Sequence, residues 1–114
     1  MDEPVQQPEE SRADRVAARI AQTAARFFEN ESNRQSLITV TRAHLSTDGL
    51  HSMIYITVLP ESAEASVISF AKRNRHELRE FIKKELPMGR IPTLDVEIDT
   101  GERHRQHIDE LLRD

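Results

Sequence analysis

Cysteine is absent from this chain, which excludes a disulfide framework, a thiolate metal site and a cysteine nucleophile together and fits a reducing compartment. Tryptophan is absent too, and the aromatic residues are four Phe and one Tyr. A platform on which successive single-stranded bases stack needs several exposed rings, and these few can hardly supply one. The only glycines are Gly49, Gly89 and Gly101. They form no Gly-rich phosphate loop, and no nucleophile elbow is present. Apolar runs stop after a few residues, far short of the ~18 that suggest a membrane span. The first ten residues, MDEPVQQPEE, have neither a basic n-region nor an apolar stretch, so they read as neither a secretory signal nor a transit peptide. The expectation is a cytoplasmic protein without a membrane partner. The chain also lacks the excess of positive charge of a uniformly basic nucleic-acid binder, since its net charge is −4.

What is present is one domain's worth of chain. With 114 residues, a fold would bury roughly 65% of its unfolded surface, enough for one modest core. Charge is unevenly placed. Residues 1–10 carry −4, 11–47 carry +3, 48–70 carry −3, 71–90 carry +4 and 91–114 carry −4. The densest positive segment contains Lys72, Arg73, Arg75, Arg79, Lys83, Lys84 and Arg90.

Residues 1–10, with two prolines and four acids, read as a disordered acidic leader. Ser11 stands three residues before Asp14, an N-cap signal, and Val16, Ile20, Ala24 and Phe27 follow at helical spacing. This predicts a helix over 11–29, with Arg12, Arg15, Arg19 and Arg26 mostly off its apolar stripe, and a polar loop over 30–35. Leu37 to Thr41 is rich in β-branched residues and predicts a strand. Ile38 and Val40 share one parity and Ala43 and Leu45 the other, so a β-bulge near Thr41–Arg42 is needed to keep both pairs on one face. Ser46-Thr47-Asp48-Gly49 is turn chemistry. A second strand over 52–59 puts Ile54, Ile56 and Val58 inward and Met53, Tyr55 and Thr57 outward, and Pro60 ends it.

Ser62 is positioned to cap a helix beginning at Ala63. Its stripe runs Val67, Ala71, Asn74, Leu78, Phe81 and Ile82. Asn74, polar and of low helix propensity, predicts a break or kink. The helical pattern ends by Leu86, before Pro87. Leu94, Val96 and Ile98 alternate with Asp95, Glu97 and Asp99, a half-buried strand. Thr100-Gly101 turns, and Ile108, Leu111 and Leu112 suggest a short C-terminal helix. The resulting order is α-β-β-α-(kink)-α-β, an α+β layout with the helices on one face of a three-stranded sheet.

These residues resemble the ribosome-binding factor A family, which has a KH-like fold of type II. The resemblance lies in the run from Leu37 to Leu59, with Ser46 and Asp48 in the turn and Ser52, Ile54, Tyr55, Ile56, Thr57 and Val58 in the strand after it. It continues through Ile91-Pro92, Asp99 and the closing Ile108-Asp-Glu-Leu-Leu112, and covers about residues 12–112. Departures are specific. The family's glycine-containing kink between its second and third helices falls near Arg75 and His76, where no glycine stands. Asn74 must then provide the kink, as the next-best residue for a left-handed conformation. The turn reads Asp48-Gly49-Leu50, where the family has Asp-Leu.

Several groups could carry chemistry. Asp95, Glu97 and Asp99 share one strand face and could hold a metal or do acid–base work; alternation of this kind reads first as a solvated strand face. His104 and His107 near Glu102 have two-ligand helical spacing but lie in a polar tail. His44 and His51 flank the hairpin turn and could face each other across the strands. No metal and no cofactor is expected. The basic segment is the most informative feature. On a wheel of ~100° per residue, with Leu78 at zero, Val67, Ala71, Asn74 and Ile82 fall within about 40° and Arg79, Lys72, Lys83 and His76 at roughly 100–160°. The bases thus flank the buried stripe on one side, either as a solvated face with pairs such as Glu80–Lys84 or as a phosphate-binding face.

The resemblance favours the second alternative. It implies a non-enzymatic factor, residues 11–114 forming a KH-like RNA-binding domain that associates with the small ribosomal subunit and its rRNA and assists subunit assembly and rRNA maturation. Lys72, Arg73, Arg75, Arg79, Lys83, Lys84 and Arg90 would contact phosphates. No small-molecule substrate is expected, and the free protein is expected to be monomeric. The rival is a protein-interaction or dimerisation module of the same fold without direct RNA binding, with Met53, Tyr55 and Thr57 as its partner surface.

Overall fold

The computed structural model describes residues 11–31 and 36–101. The acidic leader, the helix expected around Ile108–Leu112, and His104 and His107 lie outside the described residues. Helix α1 spans Arg12–Glu31. Its start is the capping box that Ser11 and Asp14 imply: the Asp14 N–H donates to Ser11 Oγ at 3.0 Å, and the Ser11 N–H donates to Asp14 Oδ2 at 3.3 Å. The helix runs two residues beyond the expected end. No proline or glycine stands between Pro8 and Gly49, so nothing at Asn30 or Glu31 breaks it.

The sheet has the order β1-β2-β3. Strand β1 spans Leu37–Leu45 and pairs antiparallel with β2, His51–Leu59. The pairing shifts between Val40 and Arg42. This is the bulge that the change of parity required: Ile38 and Val40 before it, and Ala43 after it, all face the core. Between the strands, Gly49 adopts φ +74°, where glycine pays no Cβ penalty. Strand β3, Thr93–Ile98, lies parallel to β2, joined to it by the two helices that such a crossover needs.

A cis Leu59–Pro60 peptide bond leads into a short 3-10 turn, Glu61–Ala63, and then helix α2, Glu64–Arg73. Ser62 does not cap α2. Pro60 holds the cap position, its carbonyl accepting the Ala63 N–H at 3.0 Å, so Ser62 sits inside the turn. The residue before α2 is Ala63, with no side-chain capping bond. Helix α3 spans Arg75–Glu85, and Leu86 leaves it in an extended conformation before Pro87.

Helices α1, α2 and α3 cover one face of the sheet. Ile20, Ala24 and Phe28 of α1, Val67 and Ala71 of α2, and Leu78 and Ile82 of α3 bury against Ile38, Ile54, Ile56, Val58, Leu94 and Val96. Phe27 meets Phe28 edge-on and Phe81 at 5.8 Å, which ties α1 to α3. No described helix is long and apolar enough to cross a membrane.

Candidate nucleic-acid interface

The break between α2 and α3 falls on Asn74, as the stripe required, but its backbone differs from expectation. Asn74 has φ −107° and ψ 21°, and no non-glycine described residue has positive φ. A left-handed residue is unnecessary because α2 closes by tightening its last turn. The Asn74 N–H is shared between the Phe70 carbonyl at 3.0 Å and the Ala71 carbonyl at 3.3 Å. Its Nδ2 donates back to the Phe70 carbonyl at 2.8 Å, which satisfies an amide that would otherwise sit unpaired on the apolar stripe. Its own carbonyl then accepts the Leu78 N–H at 3.0 Å and opens α3.

Bases cluster around this break, and the fold sorts them. Lys72 Nζ donates to Asp95 Oδ1 at 3.1 Å, and Arg75 Nη1 approaches the same oxygen at 3.6 Å. Two cations thus share one carboxylate of β3 and leave a local excess of positive charge. Partial burial opposes ionisation of Asp95. The Val96 N–H, the Lys72 ammonium and the Arg75 guanidinium together outweigh it, holding its pKa below the ordinary 3.8. Arg73 is exposed beside the break, and Lys83 and Lys84 are exposed in the last turn of α3. None of these three forms an ion pair among the described residues. Arg79 is half-buried, with Nη2 donating to the Ile91 carbonyl at 3.3 Å, so it braces the connector before β3. Arg90 lies apart from the others, in a groove against the first half of α1.

The opposite face of the sheet holds a cluster that strand alternation alone conceals. Asp99 is not a solvated acid of the β3 face; it is buried. Its Oδ2 accepts from Thr41 Oγ1 at 2.6 Å and from Arg42 Nε at 3.4 Å, and its N–H donates to the Ile56 carbonyl. Arg42 also lies over the Tyr55 ring, 3.9 Å from its centroid. The bulge residue Thr41 is therefore pinned to the end of β3. Asp95 and Glu97, by contrast, are half-buried and exposed. Met53 and Tyr55 are half-buried and Thr57 is buried. Among the described residues, the most exposed large apolar side chains are instead those of Leu37 and Leu59, directly paired at the far end of the sheet.

The hairpin turn is built from its own side chains. Ser46 Oγ donates to Asp48 Oδ1 at 2.6 Å and accepts the His51 N–H at 3.0 Å, while Asp48 Oδ1 also accepts the Leu50 N–H. The Ser46 hydroxyl and then the Leu50 N–H lower the Asp48 pKa. His44 lies opposite Met53, so the two flanking histidines are diagonal and not directly opposed. Among the described residues no group of three or more His, Asp and Glu is arranged to hold a metal.

The model of the ribosome-binding factor A family matches residues 12–112. Ribosome-binding factor A of Beutenbergia cavernae is 30% identical over 107 residues, 91% of this chain and 67% of the relative. That of Stenotrophomonas maltophilia is 24% identical over 105 residues, 90% of this chain and 83% of the relative. The crystal structure of ribosome-binding factor A from Thermus thermophilus superposes with a TM-score of 0.68 at 20% identity, covering 77% of this chain and 97% of that one. A homology model of the Thermus thermophilus factor, fitted into the cryo-EM map of its 30S complex, gives a TM-score of 0.65 at 19% identity, with 78% and 93% covered.

Proposed function

The chain belongs to the ribosome-binding factor A family, and from that premise we propose that it binds the small ribosomal subunit through phosphate groups of the rRNA and assists assembly of the subunit and maturation of that RNA. It acts by binding and not by catalysis. The observation that carries the reading is the helix break at Asn74 with Lys72, Arg73 and Arg75 around it. This is where KH folds place the loop that clamps a nucleic-acid backbone. Without glycines, this break does not let a backbone strand approach closely. Contact therefore falls to the side chains, and affinity is mainly electrostatic and salt-dependent. Arg73, Lys83 and Lys84 supply charge directly. Lys72 and Arg75 do so from their shared Asp95, and Arg79 mainly by holding its connector. The fitting of the related Thermus thermophilus factor into a 30S complex supports the choice of the small subunit.

The test is co-sedimentation with purified small subunits at about 50 and 200 mM salt. Replacing Arg73, Lys83 and Lys84 together by Gln should weaken co-sedimentation without changing preference among RNA sequences. Stability should stay near that of the parent, because exposed charges contribute little. Undiminished co-sedimentation of this variant at both salt concentrations would refute the assignment. Loss on changing Met53 and Tyr55 instead would favour a protein-contact module.

A further inference from the structure

The groove that takes Arg90 is lined by Arg12, Arg15, Val16 and Arg19 of α1 and by Pro87, Met88, Gly89 and Arg90 of the connector, and has a volume of about 620 Å³. Arg12, Arg15 and Arg19 recur at helical spacing on one face of α1, and Arg90 joins them from the other wall. All four are exposed. No carboxylate is among the described lining residues. Val16, Pro87 and Met88 give the groove an apolar floor, and Val16 and Met88 pack on the core. A low-dielectric floor strengthens the field of the charges above it. Guanidinium groups also pair with phosphate oxygens through two parallel N–H donors.

We propose that this groove is a second RNA-binding site, separate from the α2–α3 break, that grips the phosphodiester backbone along α1. Arg12 to Arg19 spans about 10 Å of helix axis at ~1.5 Å per residue. That length lets more than one phosphate of an RNA strand lie along the row. A single free phosphate would leave part of such a row unused. The inference rests on the proposed RNA binding but assigns it a different surface.

Two variants test it in the whole 114-residue chain. Arg12, Arg15 and Arg19 are changed together to Gln. Separately, Gly89→Glu places a carboxylate in the groove; a Cβ added there meets nothing within 4 Å and Gly89 does not have positive φ, so folding should survive. The probes are purified small subunits, the protein-free rRNA of that subunit, and inorganic phosphate. We expect the slope of log affinity for the rRNA against log salt to fall by about 2–3 units in the triple variant, at roughly 0.7–0.9 per lost contact. We also expect Gly89→Glu to weaken rRNA binding, and the losses to add to those of the Arg73, Lys83 and Lys84 variant. If both groove variants bind subunits and rRNA as the parent does while the α2–α3 variant loses affinity, the groove inference fails and the main reading stands. If neither surface matters, direct RNA binding itself fails. Shifts of the arginine side-chain NMR signals with inorganic phosphate, unaccompanied by any effect of the variants on rRNA binding, would assign the groove to free phosphate and overturn the proposal.

Discussion

Asp99 and Asn74 are the residues whose roles depend most on what surrounds them. Both sit in a periodic pattern, Asp99 as the third acid of an alternating strand and Asn74 as a polar step on an apolar stripe. The pattern marked Asn74 as a break. It could not mark Asp99 as buried, because its partners Thr41 and Arg42 stand 58 and 57 residues earlier in the chain. Asp99→Ala should destabilise the fold by about 1.5–3 kcal/mol, the usual range for hydrogen bonds to a charged group, as read by denaturant titration. Asn74→Gly should lower stability by about 0.5–1.5 kcal/mol, since it deletes the bond to the Phe70 carbonyl. No left-handed strain is there to relieve at φ −107°, so a stabilised Asn74→Gly variant would contradict this account. Asp95 adds a pH dependence. Its pKa is depressed in the fold, so its contribution is in full above about pH 4 and is lost as pH falls through the folded pKa. Asp95→Asn should therefore narrow the stability difference from the parent as acid is added, measured by urea unfolding between neutral and acid pH.

Helices and strands were legible where a single period governed them. The α1 stripe, the capping box, the alternation of β3 and the parity change in β1 each follow from spacing, and the bulge between Val40 and Arg42 confirms the last. The end of α1 was less legible, because no proline or glycine marks it. Ser62 misled for a related reason: any Ser before a helical run resembles a cap, and only the turn started by Pro60 takes it out of position. On the sheet, Ile56 is fully buried and is paired with Val40 on one side and Ile98 on the other. Ile56→Ala should cost about 2–5 kcal/mol. A loss below about 0.5 kcal/mol, the size of an ordinary surface substitution, would mean that the inward face of β2 is misassigned.

Across the whole molecule, an acidic chain keeps its positive charge on particular helical surfaces. The density of bases over 71–90 was legible, but not how they divide. Pairing with Asp95, bracing of Ile91 and the placement of Arg90 against α1 arise only when distant segments meet. The arginines of α1 were legible only as residues off a stripe, because the connector that forms the other wall of their groove lies some 70 residues further on. Such a distribution favours steered, salt-sensitive encounter with RNA while the remaining acidic surface limits indiscriminate binding. The most direct test of this account is the affinity of the unaltered protein for small-subunit rRNA, measured as a function of salt and compared with an RNA of the same length and shuffled sequence. The account predicts a steep fall of log affinity with log salt, with a slope of about −2 or steeper for three or more phosphate contacts at roughly 0.7–0.9 each. A flat salt dependence, or no measurable binding to either RNA at low salt, would contradict it.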